Sequence, residues 1–263
     1  MALPSRNRGP RPEASVQNFT RTVVATREGL VGGTTANGHV IVPNDHFVAL
    51  PSRRALSTNF GHEHEVRVTY RGRTVVAPVW DIGPWNTHDD YWNPPPIRET
   101  FKDLPRGKPE AEAANLEGYN GGLDERGRVV RTPAGIDLAD GTFRLDLVLP
   151  DNDWVEVEFL WLDSEGPIVT SVSTFPASFL AHVTDASPID AAEFFVDTIG
   201  DVGTGNPATV AGNVISAPLP PLEPGTHTIY VRARDVYGNW GPLASVTLEA
   251  GAPPSPKRRS VRR

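Results

Sequence analysis

Thr74-Val75-Val76-Ala77-Pro78-Val79-Trp80-Asp81-Ile82-Gly83-Pro84-Trp85 is the stretch on which the reading of this chain turns. Val75, Ala77 and Val79 fall on one face of an extended strand, and Asp81 shares their parity where the strand ends. Gly83-Pro84 makes the turn, and Trp80 and Trp85 flank the acid. A carboxylate at a strand end, between aromatic rings and beside a rigid turn, is placed for a cleft. The same carboxylate could instead cap its own turn by accepting backbone N–H bonds. Pro78 predicts an edge strand or a bulge, because proline cannot donate to a ladder.

Immediately upstream, residues 65–70 alternate, and Arg71-Gly72 turns them into the Asp81 strand as a hairpin with one apolar face. Residues 20–26 are alternating and rich in β-branched side chains, which predicts another strand. Residues 29–38 form a glycine-rich loop that lacks the Gly-Lys-Ser/Thr ending of a phosphate cradle, and Asn37-Gly38 signals a tight turn. Residues 86–134 interrupt the pattern with Pro94-Pro95-Pro96 and a helix-like piece around Glu110 to Ala114. A connection that long is either functional or an insertion. Short apolar and alternating segments return at 135–141 and 153–161.

The sequence has 263 residues, room for one large domain or two ordinary ones. With a formal net charge of −7 it does not read as a general nucleic-acid binder, which would carry a basic face. Its 24 glycines and 26 prolines predict a turn-rich chain that is mainly β. There is no cysteine, which excludes disulfides, thiolate metal sites and thiol catalysis. No apolar run is long enough to span a bilayer. Residues 1–18 read as a polar, disordered arm without the apolar core of a secretory leader. Residues 251–263 read as a basic disordered tail.

Asp81 has company elsewhere in the chain. In order come Thr34-Thr35-Ala36-Asn37-Gly38, then His46 ahead of Leu50-Pro51, then Asp81-Ile82-Gly83-Pro84, then Ile136-Asp137-Leu138. This series resembles the rare-lipoprotein-A-like double-psi β-barrel, whose pattern is Thr-Ala-x-Gly, Ala-His-x-x-Leu-Pro, Asp-x-Gly-Pro and Ile-Asp-Leu-Ser. Expansins and family-45 glycoside hydrolases share that barrel. The resemblance spans residues 22–162 and implies a six-stranded double-psi barrel over 19–163, with 86–134 inserted. It implies Asp81 as the catalytic aspartate and His46 as the histidine before Leu-Pro, although one extra residue separates His46 from Leu50 here. It places Thr35, Asn37, Trp80, Trp85, Tyr91, Trp92 and Asp137 at the substrate, with Asp137 also a brace for the crossed loops. His39 stands where the family often has an acid, and Ile82 where it usually has arginine.

The function so implied is cleavage or binding of a cell-wall glycan, in the manner of a peptidoglycan lytic transglycosylase with Asp81 as general acid and base. The alternative is an expansin-like module that binds polysaccharide or mediates surface adhesion without cutting. The chemistry suits the residues. A glycosidic oxygen leaves only when protonated, and a carboxyl held against Trp80 and Trp85 would keep its proton. A lytic transglycosylase needs Asp81 alone, first as acid and then as base. An inverting hydrolase needs a second carboxylate about 6.5–9.5 Å away, for which Asp45, Asp89, Asp90 and Asp137 are candidates.

His62-Glu63-His64 and His88-Asp89-Asp90 contain metal-ligand types, but no His-Glu-x-x-His helix occurs, so no metal and no cofactor is expected. No Gly-x-Ser-x-Gly elbow supports a serine triad. Beyond a junction at 163–167, evenly spaced strands at 168–173, 180–184, 192–197, 209–216, 226–234 and 244–249 predict a β-sandwich over 164–250. The segment around Tyr230, Asp235-Val236-Tyr237-Gly238-Asn239 and Trp240 resembles the closing hairpin of bacterial immunoglobulin-like or fibronectin-III-like modules. Tyr237 and Trp240 are expected to pack rather than bind sugar. The expected partners are polysaccharide or peptidoglycan, with no nucleic acid and no membrane span. The expected location is extracellular or in the cell envelope.

Overall fold

The computed structural model describes residues 19–251; the expected arm at 1–18 and the tail beyond Gly251 lie outside the described residues. Those residues form thirteen strands and one α-helix, a mainly β fold in two sheets. The first sheet is a closed barrel of β1 (Thr20–Glu28), β2 (Val48–Leu50), β3 (Glu65–Tyr70), β4 (Arg73–Ile82), β5 (Ala134–Ala139) and β6 (Asp153–Phe159). Alternation decides which face turns inward. Val66, Val68 and Tyr70 of β3 point inside, as do Val155, Val157 and Phe159 of β6. Each buried valine contributes about 1.5–3 kcal/mol of burial.

The strand order around the barrel is β1-β5-β2-β4-β3-β6. β1 runs parallel to β5 and β2 parallel to β4, while the other four pairings are antiparallel. The link from β1 to β2 therefore jumps β5, and the link from β4 to β5 jumps β2. Exchanging β1-β2-β3 for β4-β5-β6 reproduces every pairing, which is the pseudo-two-fold of a double-psi barrel. The sequence keeps a trace of it: Arg-Thr-Val-Val-Ala occurs at Arg21–Ala25 on β1 and again at Arg73–Ala77 on β4.

Two bulges adjust the ladders. Val48 pairs with Val79 but Ala49 with Asp81, so Trp80 is the extra residue on β4. Val24 pairs with Ala134 but Ala25 with Ile136, so Gly135 is the extra residue on β5. A Cβ on Gly135 would lie 2.7 Å from Pro109 Cγ and 2.9 Å from Val23 Cβ, which reserves the position for glycine. The expected effect of Pro78 is refined rather than met as stated. The barrel leaves β4 no free edge, and the bulge falls two residues later at Trp80. Pro78 pairs with Glu65 of β3, and the Val79 N–H points to His64 O on that same side. The donor that proline lacks thus faces the other side, just before β2 begins at Val48.

Between β4 and β5 the insertion carries α1 (Glu110–Glu117), which ends at Gly118 in the left-handed conformation (φ 71°). Its buried Ala111 and Ala114 pack on Val130 and Trp85. Beyond the coil at 163–167 lie β7 (Ile168–Phe175), β8 (Ser178–Thr184), β9 (Ile189–Val196), β10 (Asn206–Ala211), β11 (Val214–Pro218), β12 (Gly225–Asp235) and β13 (Ala244–Ala250). The strand expected at 209–216 is two strands, because Gly212 (φ 59°) turns the chain there. β10 pairs with β9 through its first half and with β11 through its second, so one strand joins both faces of the sandwich. At the junction the Arg106 guanidinium lies 3.9 Å from the Phe19 ring centroid and 5.1 Å from that of Tyr237. It donates to Trp92 O and Tyr237 O, both at 2.8 Å, so Tyr237 serves packing between the two sheets.

Candidate functional site

Asp81 lines a groove of about 390 Å³ where the C-terminal ends of β1 and β4 meet beside β2 and β5, together with Arg27, Glu28, Trp85, Arg126, Arg128 and Asp137. Its Oδ1 accepts the backbone N–H of Ala36 and of Ile82, each at 2.8 Å. The Thr-Ala-Asn-Gly loop supplies the first of these bonds, and its own side chains hold it in shape. Buried Thr35 Oγ1 donates to Asn37 Oδ1 at 2.7 Å, and Asn37 Nδ2 donates to Thr58 O at 3.1 Å. Thr35 and Asn37 therefore brace the loop that positions Asp81 and do not themselves line the groove.

Glu28 is the residue that the sequence reading missed. It closes β1, is 7% exposed, and its Oε2 is buried without a hydrogen-bond partner. Its carboxyl is within hydrogen-bond reach of Asp81. Two carboxyls facing each other without an N–H or O–H donor between them are stable only with a proton on one. Burial first, then the bond to Asp81, then the charges of Asp81 and Asp137, push Glu28 up to about 9. Asp137 faces the same space. Burial raises it to about 6, against the lowering effect of the Thr26 hydroxyl that donates to its Oδ1 and with a further push from the charge of Asp81.

The internal repeat could have exposed Glu28. Counting from the shared Arg-Thr-Val-Val-Ala, Glu28 and Asp81 occupy the same place in the two halves once the Trp80 bulge is allowed for. Their parallel-strand partners are both alanine, Ala139 for Glu28 and Ala49 for Asp81. Small partners leave space above the ladder for the two acids.

Trp85 also lines the groove, with φ +60°, a left-handed backbone that bulky residues rarely take and that costs roughly 1–3 kcal/mol. Its Nε1 donates to Thr132 Oγ1 at 3.2 Å, which fixes the ring plane. The other candidates lie elsewhere. His46 is exposed, and its Nδ1 is 2.6 Å from Asp146 Oδ2, outside the groove. Trp80 packs against Phe47 and His39 and donates to Gly61 O at 2.9 Å. Tyr91 and Trp92 are 0% and 2% exposed, inside the barrel core against Phe159, so neither presents a face to a ligand. Sequence cannot separate a ring beneath an insertion from one on a groove.

Of the second carboxylates considered, Asp45 is held by His39 Nε2 at 2.8 Å and by the Val42 N–H, so it serves its own turn. Asp89 is fully buried with Arg98, and burial raises it to about 6. Asp90 is fully buried and accepts from Arg54 and Asn93. The histidine motifs form no common site. His62 and His64 precede β3, His62 meets Glu65, His64 lies edge-on to Trp161, and His88 meets Glu125. Among the described residues, Asp163, Asp185 and Asp235 at the junction are the three acids close enough to share an ion, and they lie apart from the groove. No helix among the described residues is long and apolar enough to cross a membrane.

No curated protein matches this sequence. Among solved structures the chain is similar to an expansin of Clavibacter michiganensis, at 16% identity and a TM-score of 0.29, over 89% of this chain and 92% of that one. It is similar to the fibronectin(III)-like modules of Clostridium thermocellum CbhA, at 11% identity and a TM-score of 0.26, over 88% and 94%. A beta-1,2-glucanase from Parabacteroides distasonis matches at 12% identity and a TM-score of 0.24, over 90% of this chain and 28% of that one. The sequence of the barrel itself decides the family: residues 18–158 match the one described as Domain of unknown function (DUF8814), and this chain belongs to it.

Proposed function

We propose that the groove cleaves a polysaccharide by general acid–base chemistry, with the Glu28–Asp81 pair handling the proton. One observation carries this reading. A buried carboxyl, with one oxygen lacking any donor, faces a second carboxyl in an open groove. Glu28 retains its proton at neutral pH because burial and the neighbouring acids disfavour its charge.

The finer proposal is a lytic transglycosylase acting on peptidoglycan at the cell envelope or outside it. The shared proton passes to the glycosidic oxygen as its bond to the anomeric carbon breaks. The emptied carboxylate then takes the proton of the sugar's own hydroxyl, whose oxygen closes on that carbon to leave an anhydro sugar. No water is consumed. Spacing supports this over inverting hydrolysis, since carboxyls in hydrogen-bond contact are much closer than the roughly 6.5–9.5 Å that a nucleophilic water needs. Trp85 offers an apolar ring for a sugar face. The barrel through residue 163 is the catalytic domain in this reading, and the sandwich over 164–250 is an accessory domain.

A second reading, a polysaccharide-binding module without catalysis, is favoured by the two backbone N–H groups on Asp81 Oδ1, the arrangement of a turn brace. Incubation with purified glycan strands separates the two. Asp81→Asn is expected to lower release of anhydro-ended fragments by ~100-fold or more. Equal release by variant and parent would overturn the catalytic role. Pull-down that survives the substitution, with no fragments from either protein, would establish the binder.

A further inference from the structure

Acid–base chemistry at Glu28 and Asp81 gives no role to residues 86–134, yet this insertion builds one wall of the groove. We infer that its turn at residues 123–129 is an anion-recognition element, and that the groove takes a glycan carrying a carboxylate on the sugar beside the acid pair. The inference rests on the proposed reading of the groove as a glycan site and names the class of glycan.

The turn is built to present arginines. Leu123 and Val129 bridge, and Gly127 (φ 75°) closes the hairpin with its N–H on Asp124 O at 3.0 Å. Asp124, 1% exposed, accepts the backbone N–H of Arg126 at 2.9 Å and of Arg128 at 2.8 Å, and the Arg128 Nε at 2.6 Å. Burial alone would raise Asp124, but these bonds outweigh it and hold the carboxylate below its ordinary range. Glu125 clamps the turn to the groove wall by accepting from the Thr87 N–H and hydroxyl and from the His88 N–H. Asn86, another wall residue, is tied back to Glu110 and to the Glu125 N–H.

The two guanidiniums differ in what they have left to offer. Arg128 spends Nε on Asp124 and Nη2 on Trp85 O, and lies 5.9 Å over the Trp85 ring, which leaves its remaining donors beside the platform. Arg126 has its Nε 3.8 Å from Glu125, beyond hydrogen-bond distance, and lines the groove. Arg27 is already held by Asp140. A chain of net charge −7 thus lines the groove of its acid pair with two partly unspent arginines, Arg126 ion-paired to Glu125 without a hydrogen bond and Arg128 held by Asp124. A neutral glucan needs neither, and would be met by hydroxyl and amide groups. The planar, forked guanidinium matches a carboxylate in two parallel bonds. The carboxylate can belong to a uronic acid in the chain or to an acid ether-linked to an amino sugar; the recognition chemistry is the same.

The test is calorimetric titration of the full chain with polygalacturonate and with peptide-free peptidoglycan strands, each intact and after amidation of its carboxyls. The intact polymer that binds identifies the source of the carboxylate. Amidation is expected to weaken that binding ~10-fold or more, the worth of a charge-assisted hydrogen bond. Arg126→Gln, at an exposed side chain outside the Asp124 clamp, and the double variant Arg126→Gln/Arg128→Gln should lose affinity for the intact polymer. The double variant should no longer distinguish the two forms. Equal binding of intact and amidated polymer by the parent overturns the inference, as does absence of binding to both intact polymers or discrimination that survives in the double variant. Fragment release, measured alongside, keeps the two ideas apart. Equal binding with Asp81-dependent release leaves the acid–base reading standing without this one, and discrimination without any release does the reverse.

Discussion

Replacing Glu28 by glutamine should change how stability depends on pH. Glu28 is 7% exposed, and in the folded chain its carboxyl is raised from the ordinary 4.5 to about 9. Between those values the folded protein holds a proton that the unfolded chain has released, so stability falls as pH rises. The contribution of Glu28 is whole below about pH 4.5 and is lost progressively on the way to about pH 9. One proton corresponds to at most ~1.4 kcal/mol per pH unit, or ~2.7 kcal/mol between about pH 6 and about pH 8. Glutamine has no proton to lose, and its amide N–H can donate to Asp81 where the protonated acid did. Urea unfolding of parent and Glu28→Gln across that range should therefore show the variant gaining on the parent as pH rises. Asp89, raised to about 6, and Glu110, raised to about 7, titrate in the same window, but both proteins carry them and the difference removes them; Asp137, raised to about 6, acts on Glu28 through its charge, so its share belongs to the measured difference. Parallel stability profiles would refute the claim that Glu28 holds a proton against Asp81.

Two further substitutions probe the frame around the groove. Gly135→Ala puts a methyl 2.7 Å from Pro109 Cγ and 2.9 Å from Val23 Cβ, and should cost about 1–3 kcal/mol in urea unfolding with an unchanged m-value. A variant as stable as the parent would mean that the β5 bulge has slack. Arg98→Met leaves the fully buried Asp89 without its cation and should cost about 3–5 kcal/mol, part of it recovered by adding Asp89→Asn. A loss below ~1 kcal/mol would show that the pair does not hold the insertion.

The strands were legible because their physics is local. Val66-x-Val68-x-Tyr70 and Val155-x-Val157-x-Phe159 alternate as half-buried strands must, and both face inward. Asp81 was legible as a strand-end acid beside a turn, and the structure sets it in a groove with Asp137 and Trp85. What stayed hidden depends on contacts distant in sequence. His46 meets Asp146, and Trp92 meets Phe159 and Trp161, so neither residue has a local signature that separates core or surface from groove. Glu28 was hidden for a different reason. Thr26-Arg27-Glu28-Gly29 reads as a charged strand exit, and the acid is buried only because the barrel brings the end of β1, paired with β5, beside Asp81 at the end of β4.

The pseudo-two-fold explains why the acids meet where they do. In a six-stranded barrel with two interlocked jumps, β1 and β4 are equivalent, and each runs parallel to the other half's second strand. β1 and β4 run in opposite directions, and their last residues flank the short β2–β5 pairing of Val48 with Leu138 and Ala49 with Asp137, so equivalent residues converge there from the two sides of the pseudo-two-fold. A perfectly symmetric chain would set two identical acids there in identical surroundings, and neither would be favoured to hold the proton. Here the halves differ in three ways. The bulge at Trp80 lengthens β4 by one residue, the Ala36 and Ile82 N–H groups bond to Asp81, and Glu28 Oε2 receives no donor. Hydrogen bonds to a carboxylate favour its charged form, and burial without them favours the neutral one. The asymmetry thus favours the proton on Glu28. The insertion, present in only one half, adds Arg126 and Arg128 to the lining of the groove and so breaks the pseudo-two-fold around the acids once more.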